Sequence, residues 1–189
     1  MDKPFLIREL NALENAMRIH RLKMAQLVLD NKTLFKPLLE IVFDTDNKLS
    51  IKAAWVLEFV CQKKLEWLAP YLNYFVKNIG TVKFDSAVRP VSKICEFLAK
   101  DYTSNQHSTI KTYLKSVHIE KIIEVGFDWL IGNQKVAVKA YTMEFLFLFG
   151  KNYPWVHKEL KLIIEQNIVK ESCAYQARGK KILGWINKK

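Results

Sequence analysis

The sequence is poor in residues that interrupt regular structure, with only 6 glycines and 5 prolines among 189 residues. Most of them fall between apolar segments of helical period, so they predict boundaries between helices rather than a loop-rich chain. Only residues 145–149 show sustained period-2 alternation, and a lone strand there would have no partner. We therefore interpret that segment as the most buried helix, and a sheet-based fold is not expected.

Cysteine is also scarce, and long apolar runs are missing. The three cysteines lack a Cys-x-x-Cys motif and a nearby histidine, which predicts buried, reduced thiols in a cytoplasmic protein; they are Cys61, Cys95 and Cys173. The most apolar stretch, 141–149, contains Glu144 and is too short to span a membrane. No charged segment followed by an apolar one opens the sequence, so we expect no secretion signal and no membrane partner.

Catalytic patterns are missing too. The four histidines lie on different predicted elements, without metal-ligand spacing to another ligand; they are His20, His107, His118 and His157. We expect His157 to be a half-exposed helix residue. A glycine-rich phosphate loop, Gly-x-Ser-x-Gly and His-Glu-x-x-His do not occur. The sequence thus predicts a non-enzymatic protein with no catalytic residue, metal or other cofactor.

Helical periodicity is what the sequence has in abundance. Half of the residues are apolar and 12% are aromatic, enough for one domain with a real core. Asp2, Asp85 and Ser172 stand where helix caps are expected, and Pro90 predicts a kink inside its helix. The predicted helices cover about 2–11, 13–29, 34–43, 50–62, 65–78, 86–100, 117–131, 134–149, 155–166 and 172–187.

Two patterns recur along the chain. One is a small residue followed, after three positions, by Glu-Phe and an apolar residue; it occurs as Ala54…Glu58-Phe59, Ser92…Glu96-Phe97 and Ala140…Glu144-Phe145. The other opens apolar helices as Leu34-x-x-Pro37, Trp67-x-x-Pro70 and, without proline, Trp155. The glutamates are 38 and 48 residues apart, and a period of roughly 40–47 residues is typical of two-helix solenoid repeats.

These repeats resemble the HEAT-like family of α-helical repeat proteins. A basic residue near the start of each first helix fits the pattern (Lys52, Arg89, Lys139), but the usual aspartate after Cys61 is replaced by Gln62-Lys63-Lys64. The resemblance implies an all-α, right-handed α-α solenoid of about nine or ten helices. Its expected units are 13–43, 49–79, 85–131 and 134–168, with a capping helix at 172–187.

The repeat register makes predictions for single residues. Phe59, Phe97 and Phe145 are expected between helices in the core, and Trp67, Trp155, Pro37 and Pro70 at structural repeat positions. The repeated glutamates invite an interpretation as a catalytic carboxylate ladder. Residues one repeat apart lie roughly 10 Å from each other, which favours salt-bridged or solvated glutamates instead. In the last helix, the expected core-facing residues are Ala174, Ala177, Ile182 and Trp185.

Charge is the remaining functional signal. The net charge is +11, and residues 151–189 hold +6 of it. Most of the basic residues are lysines on polar helix faces, whereas arginine is the residue suited to bidentate phosphate recognition. HEAT-like DNA glycosylases carry a Trp one helical turn before an Asp, but here Phe59 follows Trp55 at that spacing. Glycosylase activity is therefore not expected.

Two hypotheses about function remain. The favoured one is an adaptor or scaffold that binds a protein or peptide in a concave groove formed by the second helices of the pairs. The alternative is a sequence-nonspecific nucleic-acid-binding module. Its expected polyanion contacts are Lys121, Lys158, Lys161, Arg178, Lys180 and Lys181.

Overall fold

In the computed structural model, which describes residues 2–15 and 17–188, the chain folds into eleven α-helices and these residues contain no strand. Short 3-10 segments lie at Lys32–Leu34, Leu65–Tyr71 and Ile79–Thr81. The all-α prediction is confirmed. The helices are α1 (Lys3–Asn11), α2 (Arg18–Asp30), α3 (Phe35–Val42), α4 (Leu49–Lys63), α5 (Leu72–Asn78), α6 (Asp85–Thr103), α7 (Thr109–Tyr113), α8 (Ser116–Ile131), α9 (Val136–Phe149), α10 (Pro154–Asn167) and α11 (Cys173–Ile186).

Polar side chains fix the starts of several helices. The Asp2 carboxylate accepts a hydrogen bond from the Phe5 N–H at 3.0 Å, and Pro4 stands in the first turn of α1. The Ser172 hydroxyl accepts from the Tyr175 N–H at 3.4 Å at the start of α11. These side chains satisfy backbone donors that have no partner inside a helix, which is why the chain turns into a helix at these points.

The helices form two layers. One contains α2, α4, α6, α9 and α11, each packed closely against the next; the other contains α3, α5, α8 and α10, among which only α5 and α8 are in extensive contact. We call the first layer, whose helices pack most closely on one another, the inner layer, and the second the outer layer. The second helices of the predicted units, which were expected to form a concave groove, lie in the outer layer.

The helices can be grouped into repeat pairs in two ways, depending on whether a pair begins with an inner or an outer helix. The predicted units pair each inner helix with the outer helix that follows it in the sequence. The contacts of α3 with α4, and of α8 with α9, are more extensive than those of α2 with α3, or of α6 with α8. Extensive contact between an outer helix and the inner helix after it joins α3 to α4, α8 to α9 and α10 to α11, but not α5 to α6.

Prolines change the helical segments in two places. The stretch 65–78, expected as one helix, is a 3-10 segment up to Tyr71 followed by α5, because Pro70 cannot donate the hydrogen bond that an α-helix needs there. Helix α6 continues through Pro90. The Ser86 carbonyl, which would otherwise accept from residue 90, instead accepts a hydrogen bond from the Trp55 indole N–H at 3.1 Å. This bond ties α4 to α6.

The core fills the space between the two layers. Phe145 is completely buried and Phe59 is 6% exposed, whereas Phe97 and Trp67 are only partly buried. The prediction of a structural, core-packed role for Trp155 is wrong, because its side chain is 50% exposed. Its indole lies in the first turn of α10 and stacks only on Phe127, with ring centroids 5.9 Å apart. Pro37 is half-buried and Pro70 exposed, as suits residues at helix starts.

The last helix packs through a stripe that agrees with the predicted one at Ile182 and Trp185 but not in its first half. Tyr175, Gly179 and Ile182 are buried, whereas Ala174 and Ala177 are exposed. A Cβ atom at Gly179 would lie 2.9 Å from Ile164, so glycine permits the close approach of α10 and α11. The prediction fails at Ala174 and Ala177 because the small residues of α11 lie on both sides of the helix, so size and hydrophobicity alone do not indicate which side packs.

Candidate binding face on the inner layer

The repeated glutamates Glu58, Glu96 and Glu144 lie on three successive inner helices, α4, α6 and α9. Each forms ion pairs with a cation of the inner layer, and these pairs continue onto α11. The salt-bridged interpretation is therefore the one that the structure supports. We call this chain of ion pairs the charge ladder; its members are Glu58, Arg89, Lys93, Glu96, Lys100, Glu144 and Arg178.

The first half of the charge ladder joins α4 to α6. The Arg89 guanidinium donates to both carboxylate oxygens of Glu58, at 2.7 and 3.5 Å. The Glu96 carboxylate is 1% exposed and accepts hydrogen bonds from Lys93, at 2.9 and 3.0 Å, and from Lys100. A buried carboxylate requires such partners, because an unpaired charge away from water is very costly.

The second half joins α6, α9 and α11. Lys100 Nζ contacts Glu144 Oε1 at 2.9 Å, and Arg178 donates to the other oxygen of Glu144. Burial would raise the pKa of Glu144, but the hydrogen bond and charge of Lys100 and the charge of Arg178 lower it below its ordinary value. Burial would lower the pKa of Lys100, but Glu96 and Glu144 raise it. Both groups are therefore held charged, which suits a structural role better than proton transfer.

A second group of cations lies at the α2 end of the same face. The guanidiniums of Arg18 and Arg21 lie over the Phe59 ring, 5.2 and 5.5 Å from its centroid, and Arg21 also lies 5.7 Å from the Trp55 ring. Burial, and then the nearby Arg89, lower the pKa of Arg21, whereas Glu58 acts in the opposite sense. We call Arg18, Arg21 and Arg89 the arginine cluster.

Aromatic rings and cations alternate along the rest of the inner layer. Lys93 Nζ lies 4.4 Å from the Tyr141 ring centroid, and Lys181 Nζ lies 4.8 Å from that of Trp185. The arginine cluster and the charge ladder together hold six cations against three carboxylates. The inner face, by which we mean these two groups with Lys181, Trp55, Phe59, Phe97, Tyr141 and Trp185, is therefore positively charged and partly aromatic.

The six residues expected to contact a polyanion do not form one surface. Lys121 lies on α8 and pairs with Glu124 at 2.9 Å. Lys158 and Lys161 lie on α10, and Lys161 donates to the Asn187 side chain at 3.1 Å. Of the residues on α11, Arg178 and Lys181 belong to the inner face, and Lys180, which does not, is exposed like Lys181. Lys189, part of the basic C-terminal quarter, lies outside the described residues.

Two histidines, His118 and His157, are buried and form hydrogen bonds. His118 Nδ1 accepts from the Lys115 N–H at 3.1 Å, so its Nε2–H donates to the Asn73 side-chain oxygen at 2.5 Å. Burial lowers the pKa of His118. His157, expected to be half-exposed, is 8% exposed, and its ring stacks on Phe147. His157 Nε2 also lies 2.8 Å from the Phe147 carbonyl oxygen.

The remaining chemistry-bearing groups do not assemble into a site. Cys61 and Cys95 are buried, and burial raises the pKa of both thiols. Cys173, also expected to be buried, is exposed in the first turn of α11. Across residues 2–15 and 17–188, His, Cys, Asp and Glu side chains form no group of three that could hold a metal ion. No helix in the same part of the chain is long and apolar enough to cross a membrane.

Sequence reasoning missed the arginine cluster. The chain has five arginines, and four of them (Arg18, Arg21, Arg89, Arg178) lie on the inner face. The scarcity of arginine was used as an argument against anion recognition, but what matters is where the few arginines are placed. The signal available in the sequence was the spacing of Arg18 and Arg21, which puts both on one side of a helix.

The fold and the period of its helices agree with a comparison against protein families. The HEAT repeat domain family matches residues 8–184, which is nearly the whole chain. The chain belongs to the HEAT repeat family. This HEAT repeat protein matches no curated protein and no solved structure. The family match explains the two-layer arrangement, in which each helix pair buries its apolar side against its neighbours.

Proposed function

We propose that this HEAT repeat protein is a non-enzymatic scaffold that binds an extended acidic segment of a partner protein along the inner face. The observation that carries the proposal is the excess of cations over carboxylates there. The three carboxylates are already paired within the charge ladder, so they repel an acidic ligand less than free carboxylates would. Aromatic rings beside these cations add apolar contact, as is common where repeat proteins bind segments of other chains.

A second candidate function, nucleic-acid binding, is favoured by the net charge of +11 and by exposed lysines outside the inner face. Such binding would use lysine charges against phosphates, without sequence preference, and would weaken steeply with salt. The two candidate functions predict different contact surfaces for the ligand. An acidic polypeptide would contact the inner face, whereas a nucleic acid would also contact the lysines of α8, α10 and α11.

Fluorescence anisotropy distinguishes the candidates with three labelled probes: a polyglutamate peptide, a single-stranded oligonucleotide of equal charge, and a polylysine peptide. Two double variants remove the same charge from different faces. Arg18→Gln/Lys181→Gln changes the inner face, and Lys121→Gln/Lys158→Gln changes the outer layer. We expect polyglutamate to bind, polylysine not to bind, and only the inner-face variant to weaken polyglutamate binding.

Two results would change the assignment. Tighter binding of the oligonucleotide, weakened by the outer-layer variant, would favour the nucleic-acid function. Absence of polyglutamate binding at low salt would contradict the inner-face proposal, because electrostatic attraction is strongest under those conditions.

A further inference from the structure

The arginine cluster places three guanidiniums around one aromatic ring and one carboxylate. Arg18 and Arg21 lie over Phe59, and Arg89 is held by a bidentate pair with Glu58. A guanidinium over an aromatic ring is attracted by the negative face of that ring. The rings therefore hold the arginines in position before any ligand arrives, which lowers the entropy cost of binding.

The charge balance of the cluster is strongly positive. Three guanidiniums face the single carboxylate of Glu58, which leaves an excess of two positive charges. Asp85 lines the same pocket as Trp55 and Arg89, and its carboxylate lies 3.6 Å from Lys135 Nζ, so that pair is neutral. Burial lowers the pKa of Arg21, and repulsion from Arg89 and then from Arg18 lowers it further.

One donor of the cluster has no acceptor. The Arg21 Nε–H is buried, and none of the described residues accepts a hydrogen bond from it. A buried donor without a partner costs roughly 1–3 kcal/mol, so a ligand oxygen would remove an existing penalty once a shift of the Arg21 side chain exposes this donor. Bidentate binding to guanidinium groups is the geometry that phosphate and carboxylate groups favour.

We propose that the arginine cluster is a binding site for a phosphate monoester carried by the partner segment, that is, for a phosphorylated side chain. This deepens the proposed function and rests on it. A phosphate monoester carries a charge of about −1.5 to −2 at neutral pH, which matches the excess charge of the cluster, whereas a carboxylate carries only −1. A nucleic-acid strand spreads single charges along its length, which fits a localised excess less well.

The test is an NMR titration of the full-length protein that follows the side-chain Nε–H signals of the five arginines. The probes are inorganic phosphate and O-phosphoserine, with serine as the unphosphorylated control, all at constant ionic strength. We expect the signals of Arg18, Arg21 and Arg89 to shift and that of Arg8 to stay. Binding of O-phosphoserine should strengthen as pH rises through about 6, because its phosphate then becomes a dianion.

Variants separate the site from general electrostatics. Arg21→Gln should weaken phosphate binding about tenfold or more, the range expected for a lost charge-assisted hydrogen bond. Arg21→Lys keeps the positive charge but lacks the planar guanidinium that binds two oxygens at once. It should therefore bind phosphate better than Arg21→Gln but more weakly than the wild type. Arg8→Gln is the matched control, because Arg8 also stacks on a ring, 5.7 Å from Phe5, outside the cluster. It should leave phosphate binding unchanged.

Three outcomes would overturn the inference. These are no shift of the cluster signals, an equal loss of affinity in Arg8→Gln, or stronger shifts with an oligonucleotide that lacks terminal phosphates than with O-phosphoserine. The last outcome would assign the cluster to nucleic acid. If polyglutamate binds the inner face while phosphate leaves the cluster unchanged, the inference fails and the proposed function stands. If polyglutamate does not bind, the proposed function fails, and a phosphate-induced shift of the cluster would then show a site for free phosphate and not for a partner segment.

Discussion

Glu144 shows how the inner face is held together at the level of single residues. Its carboxylate receives Lys100 from α6 and Arg178 from α11, so one side chain links three inner helices. Such a pair stabilises the fold mainly by avoiding an unpaired buried charge, because desolvation offsets much of the attraction between buried charges. Removing only one partner should therefore be costly.

Glu144→Gln should lower the free energy of unfolding by about 2 kcal/mol at neutral pH, because Arg178 loses its anionic partner and Lys100 keeps only Glu96. The folded-state pKa of Glu144 is lowered, so its contribution is present above the unfolded pKa and is lost as pH falls through the folded one. Urea titrations between neutral pH and acid should show the wild-type and variant stabilities converging. Glu124→Gln, which affects only the exposed pair with Lys121, should change stability by less than about 0.5 kcal/mol.

At the level of helices, close packing depends on glycine at points where two helices meet. A Cβ atom at Gly126 of α8 would lie 2.6 Å from the Phe145 ring of α9. A Cβ atom at Gly184 of α11 would lie more than 4 Å from the atoms of the other helices that the structure describes. The two glycines thus have opposite roles, one permitting a close approach and the other only weakening its helix.

We expect Gly126→Ala to destabilise the protein by about 1–3 kcal/mol, because the ring of Phe145 must move. Gly184→Ala should instead stabilise it by about 0.5–1 kcal/mol, the helix-propensity gain of alanine over glycine. Thermal and urea unfolding of the two variants would measure both effects. Stabilisation by both substitutions would show that α8 and α9 are not as closely packed as described.

Some elements could be predicted from the sequence and others could not. The Glu-Phe repeat correctly placed the glutamates on successive helices, because 3.6-residue periodicity depends only on local spacing. The arginine cluster could not be found this way, since Arg18 and Arg89 are brought together only by the packing of α2, α4 and α6. The exposure of Trp155 was missed for the same reason, because the residues near it in the sequence do not indicate which helices pack against the first turn of α10.

The whole molecule depends on each helix pair covering the next, and α11 covers the last one. Tyr175 and Ile182 of α11 are buried against the preceding helices, with Ile164 of α10 beside Gly179. A terminal repeat with a polar outer side is what keeps a solenoid soluble. Deleting residues 170–189 should therefore cause aggregation or a large loss of thermal stability, seen by light scattering and calorimetry. An unchanged, monomeric protein would contradict a capping role for α11.

The most direct test of the central claim, that the inner face is the binding face, uses four of the five tryptophans as reporters. Trp55 and Trp185 lie on the inner face, whereas Trp67 lies in the 3-10 segment before α5 and Trp155 lies on α10 of the outer layer. Indole N–H signals in a ¹H–¹⁵N spectrum would be followed during titration with the polyglutamate peptide. We predict shifts of Trp55 and Trp185 with Trp67 and Trp155 unchanged; shifts confined to Trp67 and Trp155 would contradict the claim.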